Sequence, residues 1–136
     1  AVILSMNGDL SHLYEMNYKY GIYICDYMNE EMPYEHKMEN ITLKDLSLKS
    51  QQRLDIRYDF GDEWIFEIKI NKVFDGHDSK QIILLEGKGC GIEEDSGGPH
   101  NLYELISDKD NEWGYNYNSF NLDEINKMLD KRYNKS

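Results

Sequence analysis

The chain has 136 residues, 40% hydrophobic and 30% charged, the size and balance of one folded domain that can bury a core without disulfide staples. Its net charge of −11 and pI of about 4.7 argue against a domain whose main task is to grip a phosphate backbone, which takes clustered Lys and Arg. The two cysteines, Cys25 and Cys90, stand far apart and outside any CxxC pair, so a disulfide framework and a four-ligand zinc site are disfavoured and a reduced, cytoplasmic setting is expected. No apolar run approaches the roughly 20 residues that span a bilayer, so no membrane partner is expected.

In chain order, "AVILSMNGD" reads as the last turns of a helix stopped at Gly8, with earlier sequence expected to be missing. Tyr and Ile enrichment then predicts a strand after Leu13, a break over Lys19 to Gly21, and a second strand at Ile22 to Tyr27. Residues 29–40 are polar and acidic around Pro33 and read as a mobile loop. "ITLKDLSLKS" predicts one helical turn capped by Thr42, with Asp45 at the third helical position and Leu43, Leu46 and Leu48 as anchors.

The clearest periodicity follows. Leu54, Ile56, Tyr58 and Phe60 alternate with Arg53, Asp55, Arg57 and Asp59; Trp64, Phe66, Ile68 and Ile70 alternate with Ile65, Glu67, Lys69 and Asn71. Period-two alternation on both sides of a Gly-Asp turn predicts an antiparallel hairpin with one buried face. A one-residue slip would carry Arg and Glu into the core, which fixes the register.

"QIILLEG" predicts another strand, and "GKGCGIEEDSGGPH" a long glycine-rich loop. Two helices follow: "NLYELISD" with Asn101 as N-cap, and "FNLDEINKMLDKRY" with Asn121 and Glu124 as a capping box and Phe120 and Ile125 as a hydrophobic staple. "NEWGYNYNSF" between them is an aromatic loop. The fold class is α+β: one domain over 1–136, a mainly antiparallel sheet with a central hairpin, packed by C-terminal helices.

Four stretches in order, "SHLYEM" (11–16), "RYDFGDEWIFEIKI" (57–70), "LEGKGCGIEEDSGGPHNLYELI" (85–106) and "FNLDEINKML" (120–129), resemble the plasmid pRiA4b ORF-3-like family. Some members travel as passengers of insertion sequences under a resolvase-type label. The resemblance places the family's YDFGD-x-W motif on Tyr58, Asp59, Phe60, Gly61, Asp62 and Trp64, with Glu67 after it. It places the ED-x-GG motif on Glu94, Asp95, Gly97 and Gly98, and the His of the SHL motif on His12. Ser96 stands where members often carry a second cysteine, which weakens any paired-thiolate role for Cys90. Members also begin with a strand and a helix ahead of the SHL motif, so the chain is expected to be N-terminally truncated. The resemblance implies a fold and leaves the biochemical role unassigned. A serine-recombinase role needs a serine nucleophile set among arginines, which this sequence lacks.

The candidate functional surface is Asp59, Asp62, Trp64, Glu94, Asp95, Gly97, Gly98 and Trp113. Asp59, Asp62, Glu94 and Asp95 are also the candidate metal ligands, since hard divalent cations take several converging carboxylate oxygens. A simpler role competes with that one: Asp and Gly are standard turn residues, and Asp side chains bond their own backbone. The aromatics at strand spacing read as core, whereas Trp113, Tyr115 and Tyr117 in a loop could anchor a partner. His12, His36, His77 and His100 show no ligand spacing, Cys90 has no base near it in sequence, and "GKGCG" lacks the Lys-Ser/Thr of a phosphate-binding loop. The leading expectation is a non-enzymatic binding or accessory protein of mobile elements. Its partner would be a protein or ligand of unknown identity, and it would need no cofactor. The alternative is a metal-dependent hydrolase acting on nucleic acid through the carboxylate cluster, which would need a divalent cation. A third reading, DNA binding, demands a basic face that the net charge does not favour.

Overall fold

The computed structural model describes residues 1–18, 21–24, 36–37, 41–76, 81–108 and 117–134. Its elements run α1 (Val2–Ser5), β1 (Tyr14–Tyr18), β2 (Gly21–Ile24), β3 (His36–Lys37), β4 (Arg53–Tyr58), β5 (Trp64–Lys69), α2 (Pro99–Ser107) and α3 (Leu122–Tyr133). The class is α+β. The chain divides into two compact units, Ser11–Gly76 with all five strands, and Ala1–Leu10 together with His77–Ser136 with the three helices.

In the sheet unit the strand order is β3-β2-β1-β4-β5, antiparallel throughout except for the parallel pairing of β2 with β3. The alternation in the sequence becomes the β4–β5 ladder, which sets Leu54 opposite Ile68, Ile56 opposite Phe66 and Tyr58 opposite Trp64. Leu54, Tyr58, Trp64 and Phe66 are buried, and the intervening Arg53, Ile65 and Glu67 are exposed. On the β1–β4 ladder Glu15 faces Arg57, and their charged groups lie 3.8 Å apart. That cross-strand pair explains how Glu15 can be the buried charge of this sheet, since an ion leaves water only with a partner.

Two expectations fail in this unit. His36–Lys37 adds a short strand inside the stretch read as loop; a two-residue bridge leaves no period to read. Residues 43–47 form turns instead of a helical turn. The box itself is made: the Asp45 carboxylate accepts from the Thr42 N–H at 2.8 Å and its hydroxyl at 2.7 Å, and the Asp45 N–H donates to the Thr42 Oγ1 at 3.3 Å. Those Thr42 bonds hold the Asp45 carboxyl below the usual carboxylate range. Of the three expected anchors Leu46 is buried and Leu48 half-buried, while Leu43 is 69% exposed.

In the helical unit α1 closes through Asn7. Asn7, at φ 67°, takes the left-handed position assigned to Gly8, and the Gly8 N–H donates to the Ile3 carbonyl at 2.8 Å. Gly8 is required for space: a Cβ there would lie 2.6 Å from Ile3 Cγ2. α2 begins two residues before the expected cap. Gly98 is its N-cap and Pro99 its first residue, where a missing N–H costs nothing, so Asn101 sits within the first turn. α3 begins as the sequence predicts, with the Asn121 Oδ1 accepting from the Glu124 N–H at 3.1 Å. Asn121→Ala will lower stability by about 1 kcal/mol in urea titrations, and Asn121→Asp will keep most of it.

"QIILLEG" is not a strand. Residues 81–88 belong to no element, and two asparagines of the last helix and its cap serve the backbone instead. Asn134 bonds both polar groups of Ile82, at 2.7 and 2.9 Å, and Asn126 both those of Leu84, at 2.9 and 2.8 Å. Among the described residues no helix is long and apolar enough to cross a membrane.

Candidate functional site

The YDFGDEW stretch folds as a five-residue connection, 59–63, between β4 and β5. The glycine is not its hinge. Asp59 leaves β4 at φ 52° and Glu63 enters β5 at φ 55°, while Gly61 stays out of the left-handed region. Asp59 tolerates that conformation because its side chain bonds locally. Its Oδ1 accepts from the Gly61 N–H at 3.1 Å and the Asp62 N–H at 3.4 Å. Its own N–H donates to the Leu13 carbonyl at 2.9 Å, and its carbonyl accepts from the Glu63 N–H at 2.6 Å.

The other oxygen, Oδ2, lies 3.5 Å from His12 Nδ1. The imidazole meets the Tyr58 ring edge-on, with centroids 5.6 Å apart, and Tyr58 in turn stacks on Phe66 at 6.1 Å. Beside them Arg57 lies over the Phe60 ring at 4.4 Å and pairs with Glu63. Trp64, placed on the candidate surface from its motif, is only 8% exposed and belongs to the core, with its indole N–H unpartnered among the described residues. Asp62 is half-buried. Glu67 sits in the middle of β5 and pairs with Arg53 at 3.9 Å, away from the tip.

The second set of motif residues lies in the helical unit. Ile92 clips the glycine-rich loop to the end of α1: its N–H donates to the Met6 carbonyl at 2.7 Å and its carbonyl accepts from the Asn7 side chain at 3.1 Å. Two residues on, the Glu94 Oε1 accepts from the Asp9 N–H at 2.8 Å. The chain then turns through Asp95, Gly97 and Gly98, at φ 57°, 86° and 95°. The two glycines of ED-x-GG are therefore backbone requirements, and Gly98 also supplies the cap of α2. Asp95 and Gly97 are exposed, and Gly98 is buried. The four candidate metal ligands are divided two and two between the units, Asp59 and Asp62 in one, Glu94 and Asp95 in the other.

A family model described as plasmid pRiA4b ORF-3-like protein matches residues 1–134. The chain belongs to that family. The pRiA4b ORF-3-like fold is also present in a solved structure, that of a protein of unknown function from Methanosarcina mazei Go1. It matches with a TM-score of 0.67 at 21% identity, over 90% of this chain and 77% of the other. No curated protein matches the chain.

This pRiA4b ORF-3-like chain also carries a concavity that its motifs do not announce. A cavity of about 430 Å³ opens in the helical unit between α1, residues 84–91 and the start of α3. Leu4, Phe120, Ile125 and Met128 supply apolar walls, while Glu86, Lys88, Cys90 and Glu124 bring polar groups to it. Phe120 and Ile125 are the two staple residues, so the signal for this wall was present as helix-start chemistry. Gly87 keeps room for the Phe120 ring, which a Cβ would approach to 2.4 Å. Cys90 is a half-buried free thiol. Trp113 and Tyr115 lie outside the described residues; Tyr117 is 60% exposed.

Proposed function

We propose that this pRiA4b ORF-3-like chain is a non-enzymatic binding or accessory protein of mobile elements. Its binding surface would be the helical unit's cavity and the exposed part of the ED-x-GG bend. One observation supports the choice of binding over hydrolysis: one carboxylate oxygen of Asp59 and one of Glu94 are spent on backbone N–H groups. Asp59 Oδ1 gathers two N–H groups of its own turn, and Glu94 Oε1 holds the Asp9 N–H. A metal-dependent hydrolase needs such oxygens for a cation and its activated water. Here they set the course of the main chain, which is the use that turn chemistry favours. A mixed, mainly apolar cavity of about 430 Å³ is of the size that takes a small ligand or a partner's side chains.

The test is thermal unfolding with Mg²⁺, Mn²⁺, Zn²⁺ and Ca²⁺ in turn. A specific cation site would stabilise the fold by about 2.7 kcal/mol at a hundredfold excess over its dissociation constant. The expected result is no shift with any of the four. A saturable shift that Asp59→Asn or Glu94→Gln removes would replace this reading with the hydrolase.

A further inference from the structure

The sheet unit ends on β5, which pairs with β4 on one side and, among the described residues, with no strand on the other. The ladder fixes which backbone groups face that open edge. The Ile70 N–H donates to the Gln52 carbonyl at 2.9 Å, so Ile70 bonds toward β4, and alternation gives Ile68, Phe66 and Trp64 the same direction. The N–H and C=O groups of Ile65, Glu67 and Lys69 therefore point away from β4. All three side chains lie on the exposed face. Within the chain the two charges are poorly matched: Glu67 stands directly opposite Asp55, and Lys69 directly opposite Arg53, like against like in both rows. The diagonal Arg53–Glu67 pair, at 3.9 Å with side chains 67% and 75% exposed, offsets little of that. Lys69 has no ion pair among the described residues.

We infer that β5 pairs with β5 of a second copy of the chain, antiparallel and centred on Ile68. This edge is separate from the binding surface proposed above. In that register Glu67 of each copy faces Lys69 of the other, on both sides of the centre. On the opposite face Ile68 meets its mate and Phe66 meets Ile70, so the apolar side of the sheet continues across the seam. Glu67 and Lys69 are also the residues whose backbone groups point outward, so each pair exchanges both main-chain hydrogen bonds. The acidic row Asp55–Glu67 then runs into the basic row Lys69–Arg53 of the second copy, and each like-charged row gains the opposite sign it lacks. Charge ordinarily keeps an edge strand from pairing. Here alternating signs repel only the wrong registers: centring on Glu67, or pairing parallel in register, would set Glu67 on itself. One short strand a side is a small interface, so the dimer is weak and concentration-dependent.

Sedimentation velocity across a wide concentration range tests this on the chain as it stands. The mass average should rise from one chain towards two. Glu67→Lys alone should return it to one chain by setting cation against cation across the seam, and Lys69→Glu alone should do so with acids. Each change also relieves a like-charged row inside the chain, so both variants should keep the parent melting profile. An equimolar mixture of the two variants should dimerise again, because every lysine then meets an acid. Neither misfolding nor a general change of surface charge produces that result. A mass of one chain at every concentration, which includes the case of an edge covered by some other segment or partner, overturns the proposal. So does a dimer indifferent to either change, or a mixture that stays at one chain.

Discussion

Tyr58→Ala will lower the stability of the sheet unit by about 3–5 kcal/mol, the largest effect of any single change considered for this chain. Tyr58 is fully buried, with no exposed surface, at the last position of β4. Its ring touches both levels of the structure around it: it stacks on Phe66 from the neighbouring strand and takes the His12 imidazole against its edge. Truncation to a methyl group removes both ring contacts and leaves a cavity that a ladder paired on two sides cannot close, since β4 bonds to β1 and to β5. Tyr58→Phe keeps the ring and will lie much closer to the parent. Urea titration followed by circular dichroism separates the two variants. A loss of under 1 kcal/mol for the alanine variant would show that the hairpin end is not the core of this unit.

Gly91→Ala will cost the helical unit about 3 kcal/mol, from overpacking together with the hydrogen bonds it forces apart. Gly91 is not in the left-handed region, so its conformation suits any residue; the constraint is contact. A Cβ there would stand 2.4 Å from the Met6 carbonyl oxygen and 2.7 Å from Asn7 Cβ. Two of the three nearest atoms are backbone, at the end of α1, and cannot swing aside. Yielding would pull residue 92 from its bonds to Met6 and Asn7, the same two that hold the glycine-rich loop in place. Gly61→Ala is the contrast: its Cβ would meet only Asp59 Oδ1, at 3.4 Å, and the change should stay within about 0.5 kcal/mol. Equal stability for the two variants would remove the close approach as the reason for Gly91.

These two positions show what the sequence could and could not say. The β4–β5 register was legible because its warrant is local: a period of two on both arms, with charge on the alternate positions. The Asn121 cap was legible for the same reason, three residues being enough to make the bond. What failed depended on distance. Residues 81–85 have every local mark of a strand, but a strand is defined by a neighbour, and the groups that answer this backbone come from Asn126 and Asn134, over forty positions on. The bond that Glu94 makes was out of reach for the same reason, its partner, the N–H of Asp9, lying 85 positions away. Even within the motifs the obvious residue misled. Gly8 and Gly61 looked like the conformational hinges, while the left-handed backbone went to Asn7, Asp59 and Glu63. Asp59 bonds its own turn and so bears that geometry, while Gly8 serves by being small.

The two asparagines Asn126 and Asn134 deserve a different kind of weight from the one their half-exposed positions suggest. Each must give a proton to a carbonyl and take one from an amide of the same residue, a double duty that a planar carboxamide meets with its two ends. Aspartate would turn two lone-pair groups toward each other, and an aliphatic side chain would offer neither function. Glutamine would carry the right ends on too long an arm. The outward rim of a helix, ordinarily the most substitutable part of a fold, is here about as restricted in chemistry as the interior is in volume.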